Sequence, residues 1–329
     1  MEEKSNFQSR FVNYVKRNVP QNINLAHELA DLLEVSKDSA YRRLRNSTPI
    51  TIDEAMVICD RFNLNLSYFF SSKYQIVPFS FNKLLSGDGG LISYLIGMKS
   101  VIEEGLAKEA RVIFAAEDIP VFHHFEYPKL AGFKLFYWQK AVMNEAFLTG
   151  QKYRVDLLHP DVLNASLELA EAYNKIESVE IWTEESINAT LRQILYFVES
   201  GQFEDLDYAL AVLADMELMI ANLQKKAERS SKTMDDNKNF VLYNSEVRIG
   251  NNCILIEKED GRVVYISHNT FNSIRTESRD FCDETALWME NLIRKSTSIN
   301  DVSEKHRFQF FKVQFNKIEE VRRKIAEQQ

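Results

Sequence analysis

Residues 29–46, LADLLEVSKDSAYRRLRN, decide how the first fifth of the chain is read, because they set two short helical patterns back to back around a polar joint. Upstream, 24–35 (NLAHELADLLEV) places Leu25, Leu29, Leu32 and Leu33 at helical spacing, with Ala26 and Ala30 on neighbouring turns. Ser36 then stands where an N-cap hydroxyl can accept an exposed backbone N–H, and 38–46 continue as a second helix. In that second helix Ala40 and Leu44 share the inward face, leaving Lys37, Asp38, Tyr41, Arg42 and Arg45 to project outward. The joint at 34–36 must therefore be tight.

The pattern widens on both sides. A helix is predicted over 6–17, and after the polar loop NSTP the stretch 50–70 repeats Ile52, Ala55, Met56, Cys59 and Phe62 at three and four residues. Those five are expected to close a small helical core, with Thr51 or Asp53 capping the helix. The two segments 29–46 and 49–66, the latter PITIDEAMVICDRFNLNL, resemble the helix-turn-helix of lambda-repressor-like (Xre/Cro type) bacterial transcription regulators. That resemblance covers about a fifth of the chain. It implies that the first helix of the pair braces the DNA backbone and that the second enters the major groove. Carried onto this sequence, the expected DNA-contacting residues are Ser36, Lys37, Ser39, Tyr41, Arg42 and Arg45, with Arg43 pairing inside the protein. Ala30 sits where the family wants a small residue. Where the family often has glycine in the turn this chain has Glu34, and valine or isoleucine gives way to Ala40. Glutamate enters a left-handed turn at a steric cost, so either the turn differs or the rest of the module compensates.

Arginine suits such a role, because its planar fork meets guanine O6 and N7 together, whereas lysines and hydroxyls commonly grip phosphate. A solvated helical face is the bland reading of YRRLR, since exposed charges usually do nothing specific. The preceding helix, the Ser36 cap and the closing helix favour the recognition reading over it. Charge is distributed accordingly. Residues 1–78 hold ten Lys/Arg against nine Asp/Glu, so of the chain totals of 40 and 48 the remainder holds thirty against thirty-nine. Overall acidity, a formal net charge of -8, argues against non-specific coating of nucleic acid and leaves room for one local cationic face.

With 329 residues, 45% of them hydrophobic, the chain is long enough for more than one core. The three cysteines, Cys59, Cys253 and Cys282, form no C-x-x-C pair and fit a reducing, cytoplasmic setting. No segment runs about 18 apolar residues, and a membrane partner is not expected. The reading is an α+β multidomain chain: an all-α helix-turn-helix domain over 1–75, a connection over 76–90, and a large α/β-containing domain over 91–329 that senses an effector or arranges subunits, with a polar break at 230–239.

Within that larger part, helices are predicted over 91–109, 129–147, 161–176, 190–201, 204–230, 277–296 and 304–328. A strand with a trailing loop is expected over 111–125, extended chain around 153–159 and a buried strand at 179–186. Strands joined by turns are expected over 239–274, with Glu259–Asp260–Gly261 as a hairpin signal. These late strands are expected to complete the earlier sheet. The alternation is also similar to that of regulator sensor domains with a phospholipase-D-like fold. That enzyme family needs H-x-K-x4-D, and none of His27, His123, His124, His159, His268 or His306 begins it, so the resemblance implies a fold without the activity.

Other chemistry is weighed and set aside. His123 and His124 on an extended chain would point to opposite faces, so a metal site is not expected. The glycines of SGDGGL, 86–91, precede a helix and lack a P-loop lysine, which favours a connection over an anion cradle. Glu103 and Glu104 read as solvated. No G-x-S-x-G, H-E-x-x-H or Walker pattern occurs, and neither catalysis nor a cofactor is expected. The densest aromatic cluster, Phe122, Phe125, Tyr127, Phe133, Phe136, Tyr137 and Trp138, is mostly core. An apolar pocket edged by few polar groups is also what a small effector needs, and Phe122, His124, Phe133, Tyr137 and Trp138 are the candidate ligand residues.

The expected function is a sequence-specific DNA-binding transcription regulator acting on double-stranded DNA, with a possible small-molecule effector. It is expected to be a homodimer because one module reads one half-site, with the long helix at 205–229 as a candidate contact. The alternatives are a non-catalytic interaction scaffold and an enzyme with a DNA-binding appendage.

Overall fold

The computed structural model describes residues 7–20, 23–62, 64, 66, 76–234, 237–269 and 272–328. The chain divides into two compact units, Met1–Pro78 and Phe79–Gln329. A hinge or helix-to-helix connection is expected from the sequence between Ser71 and Gly90, and its part over 71–75 lies outside the described residues.

Among the described residues the first unit has four α-helices: α1 (Phe7–Asn18), α2 (Leu25–Leu32), α3 (Lys37–Leu44) and α4 (Ile52–Phe62). Their buried faces meet in one core, built from Phe11, Val15, Val19, Leu29, Ala30, Ala40, Ala55, Ile58 and Cys59. The joint between α2 and α3 is a closed helix terminus. Glu34 takes a left-handed backbone (φ 53°), its N–H reaches Asp31 O, and the Val35 N–H returns to Ala30 O at 2.9 Å. This is the turn that glycine makes most cheaply, here made by glutamate.

The α4 reading needs correction. Ala55 and Cys59 are buried and Phe62 packs beside them, but Ile52 is 78% exposed and Met56 52% exposed, while Ile58, outside the expected five, completes the core. The helix presents 55, 58, 59 and 62 inward, and Met56 falls one flank too far round. Thr51 caps this helix reciprocally with Glu54. The Thr51 hydroxyl accepts the Glu54 N–H at 3.1 Å, and the Glu54 carboxylate accepts the Thr51 N–H at 3.0 Å.

The second unit is a mixed α/β body around one eight-stranded sheet. Its strands are β1 (Ser80–Phe81), β2 (Arg111–Ala115), β3 (Glu177–Trp182), β4 (Phe240–Asn244), β5 (Cys253–Lys258), β6 (Gly261–Asn269), β7 (Asn272–Thr276) and β8 (Thr297–Ser298). Their order is β1-β7-β6-β5-β2-β3-β4-β8. Only β2, β3 and β4 run parallel to one another; the remaining pairings are antiparallel. The parallel trio is linked by helices, and β5 and β6 are joined by a two-residue turn at Glu259 and Asp260. All strands after the polar break join the sheet begun before it.

Most helices cover one face: α5 (Asp88–Ala107), α6 (Val121–His124), α7 (Pro128–Tyr137), α8 (Pro160–Lys175), α9 (Asn188–Glu199), α10 (Leu206–Arg229) and α12 (Glu304–Ala326). The other face is covered by α11 (Arg279–Arg294), whose Cys282, Ala286, Met289 and Leu292 pack on Val179, Ile181, Leu255 and Val264. Strand alternation explains the division, because Val179 and Ile181 point one way and Ser178, Glu180 and Trp182 the other.

Several local expectations shift. The segment 76–90, expected as a plain connection, contributes β1, which pairs with β7, and the first turn of α5. The trailing loop after β2 contains α6. Extended chain at 153–159 is limited to a bridge from Tyr153 to Phe203, followed by a 3-10 turn over Val155–Leu157. The long α10 is internal, with Val212, Leu213, Met216, Met219, Ile220 and Leu223 all buried. It packs against α7, α9 and α12 and leaves little apolar face for a partner.

Candidate nucleic-acid interface

The outward face of α3 is built by what holds its inward face. The Ser36 hydroxyl accepts the Ser39 N–H at 3.2 Å and starts the helix. At the other end Asn46 is left-handed (φ 61°), its N–H bonds Arg43 O, and the Ser47 N–H bonds Arg42 O at 2.8 Å. Between these caps Ala40 is fully buried, so the helix lies close on its neighbours.

Arg43 is the clamp. Its guanidinium donates to both oxygens of Glu54 at 3.1 and 2.7 Å and to the Ser39 hydroxyl at 2.6 Å. The fork-to-fork hydrogen bonds with Arg43 pull the Glu54 carboxyl below its ordinary range, and they raise Arg43 in turn. Gln8 of α1 stitches the following loop, donating to Arg43 O and Thr48 O while accepting the Ile50 N–H at 3.1 Å. Neither Gln8 nor Glu54 was singled out from the sequence. For Glu54 a signal existed, an acid three residues after Thr51, whereas Gln8 lies 35 residues or more from what it holds.

Against this fixed side, Asp38, Tyr41, Arg42 and Arg45 recur at helical spacing on the outside, with Lys37 beside them. Tyr41 is 39% exposed, and the Arg45 guanidinium lies 5.7 Å from the centre of its ring. Arg42 pairs with Asp38 on the same helix at 2.8 Å, both side chains mostly in solvent. Among the described residues, Lys37, Arg42 and Arg45 make no ion pair with a side chain of another element. Ser39 behaves differently: its hydroxyl is engaged with Arg43, so its place is behind the cationic face.

The candidate ligand residues in the second unit are dispersed through its core. Phe122 stacks on Tyr173 with ring centres 4.1 Å apart, and Phe133 stacks on Phe203 while meeting Phe197 edge-on. Tyr137 packs on Phe197, and Trp138 stands perpendicular to Phe125. The buried His124 ring contacts the Thr190 hydroxyl through Nε2 at 3.1 Å. Burial, then the charges of Lys134 and His123, push His124 well below its ordinary range, so it is a neutral imidazole. The structure brings Phe133 and Tyr137 together (6.3 Å) and places the others in separate contacts. A cleft of about 440 Å³ lies elsewhere, between α10 and α12, lined by Gln224, Glu228, Glu304, Lys305, Arg307 and Phe308.

His123 and His124 sit on α6, not on extended chain, and both rings are buried. His123 Nε2 lies 2.9 and 3.1 Å from the two oxygens of Glu180, which also accepts from Tyr173 (2.8 Å) and Trp182 (2.9 Å). Burial would raise the Glu180 carboxyl, but His123, Lys232 and Tyr173 outweigh it and hold the group below its ordinary range. Lys232 donates to Tyr173 O, Ile176 O and the Ser178 hydroxyl; burial lowers it to about 7 against the pull of Glu180. A second buried ammonium, Lys134, donates to Thr190, Gln193 and Asp118. These groups are enclosed and, apart from the Nδ1 atoms of His123 and His124, hydrogen-bonded, an arrangement that positions strands and helices.

At SGDGGL the Gly87 N–H donates to the Glu145 carboxylate at 2.9 Å, so the chain supplies its own anion at the start of α5. Among the described residues no three His, Cys, Asp or Glu groups are placed to hold a metal ion, and no helix is long and apolar enough to cross a membrane. No protein-family model matches the chain, and no curated protein or solved structure matches it.

Proposed function

We propose that this chain is a sequence-specific DNA-binding transcription regulator. In this reading the first unit is a helix-turn-helix module of the lambda-repressor-like type, and α3 enters the major groove. Arg42 and Arg45 read base edges, Lys37 and Tyr41 contact phosphate or base, and Ser36 and Ser39 hold the helix start. The second unit senses a small molecule or arranges subunits in the cytoplasm.

The observation that supports this most strongly is the division of labour on one eight-residue helix. Arg43 is locked inward by Glu54 and Ser39, while Arg42, Arg45 and Lys37 stay in water without a partner on another element. Arg43 is paired across elements, whereas Arg42 meets only Asp38 of its own helix and Lys37 and Arg45 form no ion pair among the described residues, so a polyanion is the partner they suit.

Selection of bound duplexes from a random pool tests it. The expected result is enrichment of one motif, with affinity falling steeply as salt rises. Each base-reading arginine replaced by alanine is expected to cost about 1–3 kcal/mol of binding and relax one base position. Unchanged operator binding by the Arg42→Ala, Arg45→Ala double variant would overturn the assignment of α3.

A further inference from the structure

Helix α11 covers the thinner face of the sheet, and its outer ridge is exposed from end to end. Asp280, Glu284, Leu287, Trp288, Asn291 and Arg294 follow one another at helical spacing, and all six are exposed, as is Lys295 just beyond. At the middle of the ridge stand Leu287, 50% exposed, and Trp288, 41% exposed. A tryptophan beside a leucine on a solvent ridge is a large apolar surface to leave in water. Along the ridge line the charges are acidic before that pair (Asp280, Glu284) and basic after it (Arg294, Lys295); on the flank Arg279 and Arg262 pair with Asp283, and Glu290 is the one acid in the second half. Compensation of the helix dipole accounts for the polarity of the charges and leaves the apolar centre unexplained.

We propose that α11 forms a two-fold interface with a second copy of this chain. Two identical helices related by a two-fold axis run antiparallel, and every contact occurs twice. Centred between Leu287 and Trp288, such a pair sets Leu287 against Trp288 of the second copy. It sets Glu284 against Asn291, and Asp280 against Lys295 with Arg294 adjoining. The charge gradient of one ridge is therefore the complement of its own reverse, which favours a second copy over an unrelated protein as occupant. The internal α10, a candidate contact from the sequence, has most of its apolar residues buried, with Leu218 exposed.

Sedimentation of the full chain without DNA, over about 0.1–100 µM, tests this. The expected mass rises with concentration from 38.3 kDa toward twice that value. The Leu287→Glu, Trp288→Glu variant is expected to weaken association at least about thirtyfold, as loss of a central aromatic anchor does. Asp280→Lys and Lys295→Glu each weaken it, and the two together restore it. A dipole effect alone predicts no such restoration, since both changes oppose the dipole. Because Trp138 and Trp182 are buried, wild-type tryptophan emission should shift to the red on dilution as Trp288 meets water. A monomer throughout, a dimer indifferent to the double glutamate variant, failed restoration by the charge swap, or a dimer with unchanged emission overturns the proposal. The inference rests on the second unit alone, so loss of DNA binding leaves it standing, and a monomeric chain leaves the reading of α3 standing.

Discussion

The two units handle charge in opposite ways. Around Glu180 in the larger unit every hydrogen-bonding oxygen of the carboxylate has a partner, and the group is sealed between β3, α6 and α8. On α3 in the smaller unit three cations stand in water with only Asp38 on their own helix for company. Burial makes the first set costly to disturb and unreachable by a ligand. Exposure makes the second set nearly irrelevant to folding and free to meet one. Substitutions in the two sets should therefore separate stability from binding.

The largest expected effect is at the sealed cluster. Glu180→Ala leaves His123 and Lys232 without their carboxylate and is expected to cost about 3–5 kcal/mol of stability, measured by denaturant unfolding. An effect near zero would mean that the cluster is open to water and that the contrast is false. Next comes Arg43→Ala, which removes charge-assisted hydrogen bonds to Glu54 and is expected to cost the smaller unit about 1.5–3 kcal/mol. Arg42→Ala or Arg45→Ala should change stability by less than about 0.5 kcal/mol in the same experiment.

What the sequence made legible follows from distance along the chain. The Ser36 cap and the inward turn of Arg43 depend on neighbours within a turn or a short loop, and they could be read directly; the end of α3, expected at Asn46, falls at Leu44. The inward face of α4 could not, because Ile52, Met56 and Ala55 all fit a helical period and only the packing of α1 to α3 selects among them. His123 and Glu180 lie 57 residues apart, so their pairing awaited the fold. A sign was present all the same: Glu180 interrupts an apolar strand on the same face as Trp182, and acids are rarely buried without partners. Trp288 gave no hint of its exposure, since α11 has a normal amphipathic pattern.

Acid should unfold the units in order. His124 is held neutral in the folded state, so below the ordinary histidine value of about 6.5 the unfolded chain gains a proton that the folded chain refuses. The larger unit accordingly loses stability as pH falls from about 6.5, by at most about 1.4 kcal/mol per pH unit for one proton. Glu54 has a lowered folded value, so its contribution is present above about pH 4.3 and is lost only as pH falls through that lowered value. His124→Gln should flatten the first phase; simultaneous acid loss in both units would erase the distinction. Opposite in sign is Glu34→Gly, which relieves the left-handed strain and is expected to stabilise the smaller unit by about 1 kcal/mol in thermal unfolding, with DNA affinity unchanged.

The central claim is that the exposed cations of α3 exist for a duplex. It is tested most directly by measuring affinity for the selected duplex against salt concentration, for wild type and for Arg42→Ala, Arg45→Ala. The account predicts a steep salt dependence in wild type, a weaker one in the variant, and loss of discrimination between selected and scrambled duplexes. Equal affinity and equal slope in the two proteins would contradict it.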